Sequence, residues 1–171
     1  MINPEIIAYE LPDQSSVEAF FGEVWQGSRF PFDPERAHSD LRRIPTEYQA
    51  NGGGFWLMRL SRQIVGTVAV RRLPRNVAEV KRLNVTQQHR GRGFGDRLFR
   101  HALAHAIGTG YGTVRLDTIR NPGPALRLFE KYGFLEIPRY NDNPDANLFM
   151  ELDLRKSEAE QFTPTGDGSV A

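Results

Sequence analysis

Cysteine is absent from the 171 residues, which excludes disulfides and removes the most nucleophilic side chain for covalent catalysis. No serine sits in a Gly-x-Ser-x-Gly elbow, and the four histidines have no serine partner recognisable from sequence. Long apolar runs are also missing. There is no stretch of about 18 or more apolar residues and no basic segment leading into a short apolar one, so neither a membrane span nor a secretory signal is expected and the cytoplasm is the default compartment. Charge of one sign does not dominate either: 22 Lys and Arg face 21 Asp and Glu, a net charge of +1. The basic residues are scattered along the chain, which argues against nucleic acid as the main partner.

What is present suits one globular domain. Hydrophobic residues make up 39% of the chain and charged residues 25%, enough to build a core at this length. The domain is expected over residues 1–154, followed by a polar tail from Arg155 to Ala171 with Pro, Gly and Ser, expected to be flexible.

Periodicity sets the element order. Glu5 to Leu11 reads as a strand, and Gln14 to Gln26 as a helix with Val17, Phe20, Phe21 and Val24 on one face. A second helix is expected from the Asp33-Pro34 start signal, carrying Leu41 and Ile44. Phe55 to Leu60 and Ile64 to Leu73 form a hairpin turning at Ser61 to Gln63, and Ala78 to Val85 a central strand. Gly93 to Ile107 is an amphipathic helix and Thr113 to Thr118 the next strand. Asn121-Pro122 marks a helix start and Gly133 its stop, and Phe134 to Ile137 with Leu148 to Leu154 closes the sheet.

The most informative stretch is Gln88-His89-Arg90-Gly91-Arg92-Gly93-Phe94-Gly95, which joins the central strand to the amphipathic helix. Glycines at every second position let successive backbone N–H groups converge on an anion while the helix aims its positive end at the same point. Arg90, Arg92 and Arg97 add charge. A dinucleotide fingerprint fails on spacing, because its third glycine would fall on Asp96 or Leu98, and a P-loop fails because no Gly-Lys-Ser or Gly-Lys-Thr exists. The pattern that fits, Gln88-x-x-Gly91-x-Gly93, resembles the coenzyme A pyrophosphate loop of the GNAT superfamily of N-acetyltransferases. Ala78 to Val85 is similar to that family's fourth strand, and Asn121 to Phe134 to its asparagine-led helix ending in Tyr-Gly-Phe. The similarity spans about Phe55 to Leu154, and within the superfamily the chain resembles the small bacterial enzymes.

The resemblance implies an α/β fold, the GNAT acyl-CoA N-acyltransferase fold, with a mixed central sheet splayed between the fourth and fifth strands and helices on both faces. It implies acetyl-CoA as cosubstrate, with no metal, and a small-molecule amine as acceptor. Protein or peptide acetylation and a non-catalytic acyl-CoA-binding module are the alternatives, and a homodimer is left open. Leu83, Asn84 and Val85 are expected along the pantetheine arm, with the Leu83 N–H near the thioester carbonyl. Arg90, Gly91, Arg92, Gly93, Phe94 and Gly95 are expected on the pyrophosphate, and Asn121 both caps its helix and reaches the pantetheine. With no cysteine and no serine elbow, direct attack by the acceptor is the simpler route.

Two catalytic candidates follow. An amine acceptor with a pKa near 10 must lose a proton before it attacks, and Glu79 matches a glutamate that several superfamily members carry. It stands about 13 Å upstream of Leu83, expected on the same strand face, at roughly 3.3 Å per residue. Its alternative is an ion pair with Lys81 or a neighbouring arginine. The thiolate acid is where the chain departs from the family: the usual Leu-Tyr-Glu-Lys-x-Gly-Phe reads Leu128-Phe129-Glu130-Lys131-Tyr132-Gly133-Phe134. Phe129 carries no proton, so Tyr132, one turn on, is the candidate acid, beside unaided departure of a thiolate with pKa near 8.5. His101 and His105 share a helix face but lack the glutamate of His-Glu-x-x-His and a third ligand, so a metal site is not expected. Gly27 to Phe32 is expected to form part of the acceptor wall.

Overall fold

The computed structural model describes residues 3–29 and 31–156. Most of the proposed flexible tail therefore lies outside the described residues. Seven strands form one mixed sheet: β1 (Glu5–Ala8), β2 (Gly54–Leu60), β3 (Gln63–Leu73), β4 (Val77–Val85), β5 (Thr113–Thr118), β6 (Leu135–Glu136) and β7 (Leu148–Asp153). Their spatial order is β1-β2-β3-β4-β5-β7-β6. Every neighbouring pair is antiparallel except β4 and β5. That parallel step needs a crossover, supplied by α2 (Phe94–Thr109).

Helices cover both faces. α1 (Gln14–Val24) buries Val17, Phe20 and Phe21 with Leu41, Ile44, Tyr48, Phe55 and Leu57 on one side of the sheet. On the other side, α2 and α3 (Pro124–Lys131) pack Leu98, Phe99, Leu103 and Phe129 against Val65, Val80, Val114 and Leu116. Gly66 lets α2 come this close, since a Cβ there would lie 2.7 Å from Leu98 Cδ1. α2 ends in a Schellman-type turn, with Tyr111 N–H donating to the Ala106 carbonyl over 3.0 Å.

Two expected starts differ from the observed ones. The second helix predicted from Asp33 is a series of turns followed by short helical pieces at Ser39–Arg42 and Pro45–Gln49. Pro45 interrupts the pattern, and Leu41, Ile44 and Tyr48 reach the core from separate turns. α3 starts at Pro124, not Pro122, and its N-cap is Gly123 with extended φ −172°. The residue before a proline is driven from the helical region, so Pro124 prevents Gly123 from joining a helix begun at Asn121. The stop is as expected: Phe134 N–H returns to the Phe129 carbonyl at 3.1 Å across Gly133.

Candidate active site

The parallel ladder between β4 and β5 is only three residues long, pairing Val77, Ala78 and Glu79 with Thr113, Val114 and Arg115. Past Glu79, β4 stays with β3 while β5 follows β7. The strands fork, and the edge of β4 that faced β5 loses its ladder. A cleft of about 280 Å³ fills the fork, lined by Val80 to Asn84 from one arm, Leu116 to Ile119 from the other, and Phe129 of α3. Trp25, Asn143 and Asp145 border it.

At the end of β4 the glycine loop is braced by its own polar residues. Thr86 Oγ1 and His89 Nδ1 share a buried 2.8 Å hydrogen bond, and Arg90 Nε donates to the Val85 carbonyl at 3.1 Å. Gly91 and Gly93 have φ of +74° and +77°, and a Cβ at either would meet nothing within 4 Å. These glycines are therefore set by backbone conformation, with open space around the position a Cβ would take. The first N–H of α2 to find an acceptor is that of Arg97, bonded to the Gly93 carbonyl at 3.0 Å, so the N–H groups of Phe94, Gly95 and Asp96 have no intrahelical partner. Left-handed glycines followed by such a terminus leave backbone N–H groups without intrahelical partners at the mouth of α2.

The opposite half of the cleft is built from paired charges. Lys81 Nζ lies 2.5 Å from Asp117 Oδ1, while Asn141 and Asn143 each donate to Asp117 Oδ2 at 2.9 Å. Burial works to raise the Asp117 pKa, but the Lys81 charge and these three donors outweigh it and hold the carboxyl below the usual range. Behind this pair lies Glu79, fully buried. Its Oε2 accepts from Arg71 Nε at 2.5 Å, and its Oε1 from the Tyr140 hydroxyl at 2.7 Å and Asn141 Nδ2 at 3.2 Å. Burial, then the Glu79 charge, pushes the Tyr140 hydroxyl well above the ordinary tyrosine pKa. Asn141 thus links Glu79 to Asp117 at the cleft.

Comparison with known proteins follows the same lines. The profile of the Acetyltransferase (GNAT) family matches residues 18–134, more than half of the chain. This chain belongs to the GNAT acetyltransferase family. Mouse N-acetyltransferase 8 is 37% identical over 103 residues, covering 57% of this chain and 45% of that protein. Zebrafish N-acetylaspartate synthetase is 32% identical over 125 residues, covering 67% and 44%. The chain thus spans about half the length of the curated relatives it matches. A GNAT-family acetyltransferase from Staphylococcus aureus superposes with TM-score 0.80 at 23% identity, over 89% of this chain and 99% of that one. PaiA N-acetyltransferase from Thermoplasma acidophilum, solved with coenzyme A, superposes with TM-score 0.66 at 17% identity, over 88% and 99%. At these identities the superpositions show a shared fold.

On this GNAT chain the remaining candidates fall in different places. Phe129 reaches the cleft, whereas Tyr132 is not among its lining residues. The Tyr132 hydroxyl donates to Asp96 Oδ1 at 2.9 Å, beside Lys131, and its ring packs 5.4 Å from Phe99. Burial, then this hydrogen bond, raises its pKa. Asn121 is exposed and lies two residues before the N-cap Gly123, so it is not the cap. His101 and His105 flank the Trp56 ring at 4.9 and 4.7 Å, and His105 Nε2 is 3.0 Å from the Gly52 carbonyl. None of the described residues of the expected acceptor wall, Gly27 to Phe32, lines the cleft, and Phe30 lies outside the described residues; the residue that borders it from this side is Trp25, stacked on His38 at 4.2 Å.

One expectation about the strand is corrected. Between Ala69↔Lys81 and Thr67↔Asn84, β4 advances three residues while β3 advances two, and Arg82 has φ of +55°. This is a β-bulge, and the left-handed conformation costs an arginine about 1–2 kcal/mol. The extra residue shifts the alternation: Leu83 and Val85 pack with Ala78 and Val80 against α2, while Glu79 faces the opposite layer. Glu79 and Leu83 do not share a face. Sequence reasoning also missed Tyr140, Asn141 and Asn143. The cluster Tyr140-Asn141-Asp142-Asn143-Pro144 between two strands was the available signal, since it offers more side-chain donors than a turn requires.

Proposed function

We propose that this chain transfers the acetyl group of acetyl-CoA directly to a primary amine of a small molecule, within a ternary complex. The observation that carries this reading is the forked cleft with N–H groups lacking intrahelical partners at one end and a polar, charge-paired wall at the other. Coenzyme A pyrophosphate fits the N–H groups from Gly91 to Gly95, with Arg90 and Arg92 beside it and Phe94 opening the helix. The pantetheine arm fits the unladdered edge at Leu83, Asn84 and Val85, flanked by Asn121 and Phe129. The Leu83 N–H would stabilise the oxyanion formed as the amine attacks. The amine nitrogen bonds to the acetyl carbon, the carbon–sulfur bond breaks, and coenzyme A leaves as thiolate.

The amine enters beside Lys81, Asp117 and Asn143. Complete burial and three hydrogen bonds support a positioning role for Glu79: it fixes Tyr140 and Asn141, and through Asn141 the carboxylate of Asp117. The ammonium loses one proton to water in the open cleft before it attacks, the nitrogen loses a second to water as the tetrahedral intermediate collapses to the amide, and the thiolate departs without Tyr132, whose hydroxyl is engaged by Asp96. A small acceptor is supported by one relative, which is named for the synthesis of an N-acetylated amino acid.

Thiol release from acetyl-CoA with a panel of small amines, amino acids and lysine peptides tests the reading. Small amines should stimulate release and appear as N-acetyl products in equal amount. Release that no amine alters contradicts it, and stimulation by peptides alone moves the acceptor class to proteins.

A further inference from the structure

The β4 bulge is held at both ends by side chains remote in sequence. Arg82 donates from Nε to Asp40 Oδ2 at 2.9 Å and from Nη2 to Asp40 Oδ1 at 2.5 Å, a two-point grip on one carboxylate. The Tyr48 hydroxyl, itself buried, donates to Asp40 Oδ2 and lies 3.3 Å from Arg82 Nε. On the backbone side, the fully buried Thr67 donates from Oγ1 to the Arg82 carbonyl at 2.7 Å. The Trp25 ring, at the border of the cleft, lies 5.5 Å from the guanidinium carbon.

An arginine in the left-handed region persists only where its surroundings over-determine it. Here they do, through three elements that share the core on this side of the sheet: β3 and the short helical pieces at Ser39–Arg42 and Pro45–Gln49. The residues immediately beyond the bulge, Leu83 and Asn84, line the cleft. The grip therefore acts on the stretch of β4 whose main chain borders that cavity.

We propose that Arg82 is a positioning residue, and that the clamp formed by Asp40, Tyr48 and Thr67 sets the orientation of the Leu83 peptide toward the thioester carbonyl. This rests on the acetyl-CoA reading above. It assigns a catalytic consequence to Asp40 and Tyr48, which lie far from the glycine loop in sequence. Because the clamp touches none of the glycine loop that would hold the pyrophosphate, its loss should leave most of the coenzyme affinity intact and slow the chemical step. Mispositioning an oxyanion donor should lower kcat by about 10- to 100-fold, short of the loss expected from removing one.

The test uses Asp40→Asn, which removes the charge of the grip at nearly constant shape, and Arg82→Gly, which accepts the positive φ without the guanidinium and covers the case in which Asp40→Asn fails to fold. Amide spectra of 15N-labelled protein are recorded with coenzyme A and with acetyl-CoA. In the wild type, coenzyme A should shift the Gly91 to Gly95 amides, and acetyl-CoA should add a shift at Leu83. In both variants the loop shifts should persist and the acetyl-dependent shift at Leu83 should fall by half or more, with kcat reduced and KM for acetyl-CoA within about two-fold. An unchanged Leu83 shift and unchanged kcat in folded variants overturn the clamp alone. Absence of any coenzyme-induced shift in the wild type overturns the acetyl-CoA reading, and the clamp with it.

Discussion

Replacing Glu79 by glutamine separates a base from a positioning residue. The glutamine oxygen can still accept from Tyr140 and Asn141, but its amide nitrogen would face Arg71 Nε, donor against donor, where the carboxylate now accepts at 2.5 Å. Breaking a buried ion pair from one side costs roughly 3–5 kcal/mol. Arg71 retains 31% exposure of its side chain, so water recovers part of that and a loss of about 2 kcal/mol is expected. For a domain of this size that is a fall in Tm of about 4–8 °C. The Tyr140 hydroxyl, relieved of the Glu79 charge, should titrate closer to the ordinary tyrosine value, visible as phenolate absorbance at high pH. Acetylation should slow by one constant factor at every pH, because the loop carrying Asn141 and Asn143 is loosened while the proton still leaves through water. A rate loss that shrinks as pH approaches the pKa of the acceptor, in a protein of near-normal Tm, would refute this reasoning and make Glu79 the base.

Other expected outcomes concern the loop, the thiolate and acid stability. Gly93→Ala forces a Cβ onto a residue at φ +77°, so the loop must either hold that conformation at a cost or relax and misalign its N–H groups; coenzyme A affinity should fall at least about ten-fold by calorimetry, against a stability loss near 1–2 kcal/mol. Tyr132→Phe should lower stability by about 1 kcal/mol through the lost Asp96 bond, with the pH–rate profile unchanged. Phe129→Tyr, which puts a hydroxyl at the cleft, should raise the rate if thiolate departure limits turnover, as read from pre-steady-state thiol release. The Asp40 and Asp117 pKa values are depressed in the folded protein, so their contribution is complete above the unfolded value near 4 and is lost as pH falls through the folded one. Urea titrations from pH 6 downward should show this, with a shallower acid limb in Asp117→Asn.

The strands and the two longer helices were legible because each carries a clean period. β5 was expected from Thr113 to Thr118 and spans those residues, and α2 buries the apolar arc from Phe94 to Ala106, leaving Ile107 exposed. The fork could be expected only through family resemblance. The bulge at Arg82 was invisible: Lys81-Arg82-Leu83-Asn84-Val85 reads as continuous strand, and the left-handed arginine is held by Asp40, Tyr48 and Thr67 from three other segments. The same non-local pairing hid the environment of Glu79, whose partners Tyr140 and Asn141 arrive from a loop some sixty residues later. At Asn121-Pro122 the error was local, because two X-Pro steps compete for one helix start and the second wins.

A crystal structure of this protein with coenzyme A tests the central claim most directly. The pyrophosphate oxygens should lie within hydrogen-bond distance of N–H groups from Gly91 to Gly95, with the pantetheine running into the fork between β4 and β5 and its sulfur beside Leu83 and Phe129. Coenzyme A bound elsewhere, or with its pyrophosphate away from the glycine loop, would contradict the account.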